Sequence, residues 1–368
     1  MPDADGEVGV GVSRLHWLRG YMRRRDLWLL PLAGVLGRAQ TGVLAALAAA
    51  QKIPGLGGTV ERNGKVVYAE AFGEATGATR FRIGSLSKLL TAAAAARLYQ
   101  RGMLDLDAPV QTYAPWFPDK GAPISARQLL GHLAGIRHYG GGEYVNRTHY
   151  RTVRESLRIF EDSPLVAPPG TKYAYSSYGY NLLGAVLEGA AKRDYLTVIQ
   201  REVLDPLKMK STVVDDPSRQ VDGRSRFYDS QNGRIEESPA VDLTDRLPSG
   251  GFLSTAGDLA RFGAAHLTDG FLKSATRALV FTSQKTTDGK ETGVGFGWRL
   301  ASIAGERVYH HGGDAMGGRA FLLLRPQHGI AAATVCNLSF ARIAETELMA
   351  LSEPFAGDDH DPRPQWIR

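Results

Sequence analysis

The sequence predicts an α/β (α+β) fold in which one antiparallel sheet is flanked by helices and lies beside a mainly helical subdomain. The first observation is a hairpin near the start, where Asn63-Gly64 separates two alternating segments. Asn-Gly in such a setting is the strongest short-range hairpin signal. The second is that strand signals return only near the end, at 293–300, 307–309, 319–325 and 330–337. The third is the long segment between them, which is rich in Pro, Gly and short helical patterns.

Helical periodicity places a first helix at 43–51, and a second helix follows Ser85 and has Gly102 after its end. Shorter helices are predicted at 126–134, 150–160, 182–191, 196–203 and 255–268, and a closing helix at 341–352. We expect the early and late strands to share one sheet. The predicted organisation is an α/β subdomain formed by 40–104 and 288–357, a mainly helical subdomain at 105–287, and a C-terminal tail at 358–368.

The composition is that of a soluble globular protein and gives no sign of nucleic-acid binding, of a disulfide or of a metal site. The chain has 368 residues with 43% hydrophobic and 22% charged residues, which is ordinary for a soluble globular protein. The net charge is +6, but no basic run with interleaved aromatic residues follows the N-terminus, so nucleic-acid binding is not predicted. The single cysteine, Cys336, excludes an internal disulfide and a cysteine-based metal cluster. Because His132, His138 and His149 lack metal-ligand spacing, neither a metal nor another cofactor is predicted.

The N-terminus has the three regions of a signal peptide. Arg23-Arg24-Arg25 precedes an apolar segment at 27–37, and Ala39 precedes the predicted cut. The apolar segment is shorter than the roughly 20 residues that span a bilayer. The arginine pair resembles the twin-arginine export pattern. We therefore predict a signal peptide at 1–39, an exported periplasmic or secreted protein, and transient membrane association through this segment. An uncleaved anchor and a cytosolic amphipathic arm are the alternatives.

Ser85 and Lys88 form the first candidate catalytic pair. Ser85 stands at the entry of the apolar helix and Lys88 follows three residues later, and such residues share a helix face about 5–6 Å apart at Cβ. A serine hydroxyl is a weak nucleophile and needs a base beside it. The unpaired N–H groups at the helix start favour an oxyanion, and burial favours the neutral amine. Ser-x-x-Lys also occurs by chance, so the motif needs further support.

Two further segments support a catalytic role for the Ser-x-x-Lys motif. Tyr175 precedes the cap residues Ser176 and Ser177 at a loop-to-helix junction, from which a phenol can reach a cleft. Because the pKa of tyrosine is near 10, a role as base requires a nearby cation; structural packing of a tyrosine-rich helix entry is the alternative. The second segment is the run His-His-Gly-Gly at 310–313. A strand that ends this way exposes backbone N–H groups suited to an oxyanion.

In this order, Ser85-x-x-Lys88, Tyr175-Ser-Ser and the His-His-Gly run resemble the motifs of the serine β-lactamase and penicillin-binding-protein-like family, class C branch. Supporting matches are Leu-Leu-Gly-His-Leu-Ala-Gly at 129–135, Ser-Gly-Gly-Phe-Leu-Ser-Thr at 249–255 and Gly-Phe-Gly-Trp at 295–298. The resemblance covers 45–337, nearly the whole chain after the predicted leader. It implies a β-lactamase/transpeptidase-like fold, with the two-part architecture predicted above.

The resemblance also implies a serine hydrolase that acts through an acyl-enzyme on ester, amide or peptide bonds of a small-molecule or peptide substrate. Ser85 would attack the carbonyl, Lys88 and Tyr175 would transfer protons, and the N–H groups of Ser85 and Gly313 would form the oxyanion hole. His310 would take the place of the lysine in the family's Lys-Thr-Gly motif. The residues expected to contact the substrate are Ser177, His311, Gly312 and Arg319.

Two departures from the family pattern affect the expected substrate. The Tyr-x-Asn motif ends here in Ser177, and the literal Tyr-x-Asn at 144–146 lacks the helix context. A histidine replaces the lysine, and its pKa of about 6.5 makes it a weaker fixed cation for a substrate carboxylate. We therefore expect weak β-lactam hydrolysis and better activity on uncharged esters or amides. A true β-lactamase and a non-catalytic scaffold are the alternatives, and the oligomeric state stays open.

Overall fold

The computed structural model describes residues 42–231 and 233–357. The predicted signal peptide and the predicted C-terminal tail lie outside the described residues. No helix in the described ranges is both long and apolar enough to cross a membrane.

The strands are short in the middle of the chain and long at both ends. They are β1 Gly55–Arg62, β2 Lys65–Gly73, β3 Phe81–Arg82, β4 Val213–Val214, β5 Tyr228–Gln231, β6 Arg234–Glu237, β7 Phe252–Ser254, β8 Arg299–Ile303, β9 Glu306–Ala315, β10 Gly318–Arg325 and β11 Ile330–Cys336. The α-helices are α1 Gly42–Gln51, α2 Ser87–Gln100, α3 Ala126–Leu130, α4 Val153–Leu157, α5 Ser177–Ala191, α6 Tyr195–Ile199, α7 Leu247–Gly250, α8 Ala256–Leu267, α9 Ser274–Val280 and α10 Glu345–Ser352.

The early and late strands form one six-stranded antiparallel sheet in the order β2-β1-β11-β10-β9-β8. The predicted hairpin is confirmed: β1 and β2 pair around Asn63 and Gly64, whose φ angles are 50° and 75°. Two consecutive residues with positive φ are what a type I′ hairpin turn requires. The predicted α/β (α+β) class with a shared antiparallel sheet is therefore confirmed. A three-stranded sheet, β3-β7-β4, and the hairpin β5-β6 were not predicted.

Side chains alternate across the large sheet, so its two faces belong to different cores. Leu322 and Leu324 of β10 face a large core that includes α2, α5 and α8. Phe321 and Leu323 face a smaller core that includes α1 and α10. Helices therefore cover both faces, and a shift of one position along a strand moves a side chain from one core to the other.

The start of α5 and the start of β8 differ from the predictions. Helix α5 begins at Ser177, five residues before the predicted start of 182, because the Ser176 hydroxyl accepts a hydrogen bond from the Gly179 N–H at 2.8 Å and caps the helix there. The strand predicted at 293–300 is mostly wrong: β8 starts only at Arg299. Positive φ angles at Gly293 and Gly297, of 71° and 74°, interrupt the extended backbone before it.

Helix α8 lies inside the segment predicted as the helical subdomain, yet it packs on the sheet. A Cβ on Gly263 would lie 2.7 Å from the Leu324 side chain and 3.1 Å from that of Ala331, so any larger residue there would force these side chains to move. The division into two subdomains at 104/105 and 287/288 stays a prediction.

Candidate active site

Ser85 lies in a tight 3-10 turn, Gly84–Leu86, that leads directly into α2. The turn is pressed against the end of β9. Gly84 has a φ of 49°, and a Cβ there would lie 2.4 Å from the carbonyl oxygen of Asp314. A Cβ on Gly313 would lie 1.9 Å from the carbonyl oxygen of Ile83. These two glycines bring the strand and the half-buried Ser85 into direct contact.

Lys88 is fully buried, one turn along α2, with its amine turned toward Ser85. Its Nζ lies 3.1 Å from Oγ of Ser85, 3.0 Å from Oγ of Ser177 and 2.9 Å from the carbonyl oxygen of Ser249. Burial, with a smaller contribution from the charge of Arg246, holds the pKa of Lys88 well below its usual value. The site therefore favours a neutral amine, which has two hydrogens to donate and one lone pair to accept a proton.

Tyr175 completes the group around the nucleophile. Its hydroxyl donates a hydrogen bond to Oγ of Ser85 at 2.9 Å. Burial raises the pKa of Tyr175, and the hydrogen bond to Ser85 lowers it by less. The sequence-based expectation was that a nearby cation would lower this pKa enough for a base. The pKa of Tyr175 is instead raised, so the phenol keeps its proton at neutral pH.

The other tyrosines of this segment have structural positions. Tyr178 stacks on Phe160 with ring centroids 4.6 Å apart. The hydroxyl of Tyr180 donates to the carbonyl oxygen of Leu130 at 2.9 Å. Tyr144, from the literal Tyr-x-Asn motif, has a buried hydroxyl with no hydrogen-bond partner among the described residues. Of these phenols, the one bonded to Ser85 is Tyr175.

The structure contradicts the predicted placement of His310. Its ring stacks on Phe321 at 5.6 Å, and its Nδ1 lies 3.7 Å from a carboxylate oxygen of Glu345 in α10. Both neighbours belong to the small-core side of the sheet, away from Ser85. The next residue in the strand, His311, points the other way, because side chains alternate along a strand. The ring of His311 is buried with its centroid 6.4 Å from that of Tyr175.

Arg319 is also misplaced by the sequence prediction. It shares the small-core face with Phe321, forms an ion pair with Asp314, and donates from Nη2 to the carbonyl oxygen of Ile343 at 2.7 Å. It therefore does not supply a cation to the cleft. Ser177 does lie at the site, but its buried hydroxyl is bonded to Lys88 rather than turned toward a substrate.

Sequence reasoning missed Arg299, a cation that acts on His311 and Tyr175. Arg299 is exposed at the start of β8, and no carboxylate of the described residues lies within ion-pair distance of it. Its positive charge lowers the pKa of His311, after burial and Lys88, and it also lowers the pKa of Tyr175 slightly. The available signal was the residue's position directly after the Gly-Phe-Gly-Trp match at 295–298.

Two histidines that hold the entry of α5 were also missed. Nδ1 of His132 accepts the N–H of Ser176, and Nδ1 of His138 accepts the N–H of Ser177, each at 3.2 Å. Both rings also lie against Tyr175, with centroid distances of 4.5 and 5.4 Å. The described residues contain no group of three or more His, Cys, Asp or Glu side chains arranged to hold a metal ion.

Comparisons with known proteins show which family the chain belongs to. A family model described as Beta-lactamase matches residues 41–351. The human serine beta-lactamase-like protein LACTB, mitochondrial, is 28% identical over 412 residues, covering 80% of this chain and 75% of the relative. The D-alanyl-D-alanine-carboxypeptidase/endopeptidase AmpH of Escherichia coli (strain K12) is 27% identical over 278 residues, covering 70% of this chain and 71% of that protein.

Among solved structures, the octameric penicillin-binding protein homologue from Pyrococcus abyssi has the same fold, with a TM-score of 0.74 and 25% identity. The similarity covers 86% of this chain and 76% of that chain. The family match spans the sheet, the helical segment and every residue of the site described above. This chain therefore belongs to the beta-lactamase family of serine hydrolases.

Proposed function

We propose that this chain is an active serine hydrolase that cleaves ester, amide or peptide bonds through an acyl-enzyme on Ser85. The observation that carries the proposal is the position of the Ser85 hydroxyl, 3.1 Å from the amine of Lys88 and 2.9 Å from the hydroxyl of Tyr175. A nucleophile between a neutral base and a proton donor is the arrangement that covalent acyl transfer requires.

The hydrogen-bond geometry supports separate roles for the two groups. The neutral amine of Lys88 can donate to Ser177 and to the carbonyl of Ser249, which leaves its lone pair for the proton of Ser85. Tyr175 keeps its proton and can therefore protonate the leaving group. The ammonium of Lys88 then returns a proton to the phenolate, and water attacks the acyl-enzyme by the reverse sequence.

Backbone N–H groups are the proposed oxyanion site. The N–H of Ser85 lies at the start of the turn that leads into α2, where N–H groups are not used by the helix. Gly313 is held against the same turn by the close approach of β9. Donors fixed in this way stabilise the tetrahedral intermediate without rearrangement.

Covalent labelling tests the proposal directly. A fluorophosphonate probe should attach one label per chain in the wild type and none in Ser85→Ala, with mass spectrometry of the peptide identifying the site. A matched control is Ser176→Ala, which removes the cap of α5 but not the nucleophile, and should still be labelled. A wild-type protein that is folded but takes no label would reject the enzyme and favour a non-catalytic scaffold.

β-Lactam hydrolysis is a second candidate, and Arg299 is the observation that favours it. The guanidinium of Arg299 has no carboxylate partner among the described residues and can therefore bind the carboxylate of a substrate. The sequence-based argument had identified no strong cation for that carboxylate. Arg299→Gln should raise KM for nitrocefin about tenfold and leave KM for p-nitrophenyl butyrate within about twofold. Equal effects on the two substrates would show that Arg299 does not select for the carboxylate.

The export prediction belongs to the proposal as well. It is supported by the pattern of basic, apolar and small residues before Gln40. The name of the human relative assigns that protein to mitochondria. Cell fractionation therefore has to decide the compartment for this chain.

A further inference from the structure

The turn before α5 is fixed by side chains from a loop that follows α3. Backbone N–H groups at a helix start have no partner within the helix, and a Ser or Thr side chain usually accepts one of them. Here Ser176 caps the N–H of Gly179, and two imidazoles accept the preceding N–H groups of Ser176 and Ser177. Both N–H groups belong to the two residues directly after Tyr175, so the imidazoles help to fix where the phenol lies.

The two histidines differ in what surrounds them. His132 is buried at 3% exposure and has a φ of 56°, an unusual conformation for a residue with a side chain. It is part of the core, and a change there would disturb folding. His138 lies at the cleft and is exposed as a residue, while its ring packs against the rings of Tyr139 and Tyr175. A substitution at His138 can therefore report on the site without emptying the core.

His138 is connected to both groups that surround the nucleophile. On one side, its Nδ1 holds the N–H of Ser177 at 3.2 Å, and Oγ of Ser177 lies 3.0 Å from Nζ of Lys88. On the other side, its ring meets the ring of Tyr175 nearly at right angles, at a centroid distance of 5.4 Å. Edge-to-face contacts of this kind are favourable and fix the relative orientation of the rings.

We propose that His138 is a positioning residue, which acts through Ser177 and Tyr175 to hold the base and the proton donor against the hydroxyl of Ser85. The inference rests on the proposed function of that site and assigns to His138 a role in the reaction. A rate that depends on positioning falls steeply when the reacting groups move by about 1 Å.

The charge state of His138 is consistent with this role. Loss of solvent around the ring, with the charges of Lys88 and Arg246, lowers the pKa of His138 to about 4, against the opposing effect of Glu143. The ring is therefore neutral near pH 7, and its Nδ1 lone pair is available as an acceptor.

Two variants distinguish the role of the Nδ1 acceptor of His138 from the role of the volume of its ring. His138→Asn places Oδ1 the same number of bonds from Cβ as Nδ1, so it retains an acceptor for the N–H of Ser177. His138→Leu retains apolar volume but has no acceptor. We expect His138→Leu to lower kcat for p-nitrophenyl butyrate about ten- to a hundredfold with KM within about twofold, and His138→Asn to recover most of kcat. His328→Asn, at the turn between β10 and β11, is the matched control and should leave both constants unchanged.

Two kinetic outcomes would overturn the proposal. A raised KM with unchanged kcat in both His138 variants would mean that the ring contacts substrate directly. An unchanged kcat in His138→Leu would mean that the acceptor has no role.

A second measurement does not depend on turnover. Amide hydrogen exchange at the start of α5 should be faster in His138→Leu than in the wild type, and unchanged in His138→Asn and His328→Asn. Equal exchange in all four proteins would reject the positioning role. If the wild type fails to take the fluorophosphonate label, the proposed function fails, while the exchange experiment still decides whether His138 holds the helix start.

Discussion

At the residue scale, burial of the Lys88 amine makes it a stronger candidate base near neutral pH and at the same time destabilises the folded protein. The amine is fully buried, and the described residues place three oxygen atoms, none of them from a carboxylate, in contact with it. Desolvation disfavours the ammonium, so the pKa of Lys88 falls. The unfolded chain has the ordinary lysine pKa, near 10.4. Between these two pKa values the unfolded state binds more protons than the folded state, and the fold therefore loses stability as the pH falls through that window.

Lys88→Met removes this cost together with the base. We expect kcat/KM to fall by about 10²–10⁴, the range for a general base, while the melting temperature near neutral pH rises by about 2–4 °C. The gain should shrink only as the pH is raised through the unfolded-state pKa near 10.4, above which wild-type Lys88 no longer binds a proton in either state. Thermal unfolding at several pH values measures it. A variant that melts below the wild type at every pH would contradict the assigned direction.

The wild-type pH–rate profile follows from the same pKa. The base must be unprotonated, so kcat/KM for an uncharged ester should fall on the acid side as Lys88 gains its proton. Because Tyr175 keeps its proton well above neutral pH, the rate should stay level through mildly alkaline pH. A narrow bell centred on neutral pH would show that one of these two directions is wrong.

Tyr175 and Tyr144 provide a matched pair of phenols. Tyr175→Phe removes the proton donor to Ser85 and should lower kcat by about 10²-fold. Tyr144→Phe removes a buried hydroxyl that has no partner among the described residues, so activity should be unchanged and stability equal or up to about 1 kcal/mol higher. Steady-state kinetics and thermal unfolding of both proteins make the comparison. A larger rate loss in the Tyr144 variant would reverse the assignment.

At the scale of elements, the site depends on how closely the turn before α2 approaches β9. Gly84 and Gly102 lie on either side of α2 and both have positive φ, of 49° and 69°. A Cβ on Gly84 would overlap the carbonyl of Asp314, whereas a Cβ on Gly102 would meet nothing within 4 Å. Substituting each glycine in turn therefore distinguishes the strain of a positive φ, present at both positions, from the steric clash with β9, present only at Gly84.

Gly102→Ala should cost only the strain of positive φ, about 1–2 kcal/mol, and should leave labelling of Ser85 intact. Gly84→Ala adds a steric clash with the strand, so we expect a cost of about 3 kcal/mol or more and loss of the label. Denaturant unfolding and fluorophosphonate labelling of both variants test this. Equal costs for the two would mean that the turn can move away from β9 freely.

At the scale of the molecule, the groups of the site come from three separate stretches of chain. The turn with Ser85 follows the first hairpin, Tyr175 precedes α5, and His311 lies on β9 near the end of the chain. The sequence predicts a cut after Ala39. If the predicted leader is removed there, mass spectrometry of the N-terminal peptide should find a chain that starts at Gln40. A chain recovered with its first residues intact would favour the anchor.

Contacts between residues close in sequence could be predicted from the sequence, whereas contacts between distant segments could not. Ser85 and Lys88 were found because their meeting depends on helix spacing alone, a local property. The hairpin at Asn63 was found because turn chemistry is also local. Which of two neighbouring histidines faces the cleft depends on which side of β9 packs against α2, and no residue nearby in sequence encodes that.

The sequence by itself determined the class of fold and which hydroxyl, amine and phenol meet, those of Ser85, Lys88 and Tyr175, because their motifs are short and ordered along the chain. Tertiary structure decided the rest. It turned His311 toward Tyr175 and His310 toward α10, it paired Arg319 with Asp314, and it brought in cleft residues that no motif marked, His138 and Arg299. The physical reason is that strand alternation assigns a side chain to a face only once the packing of that face is known.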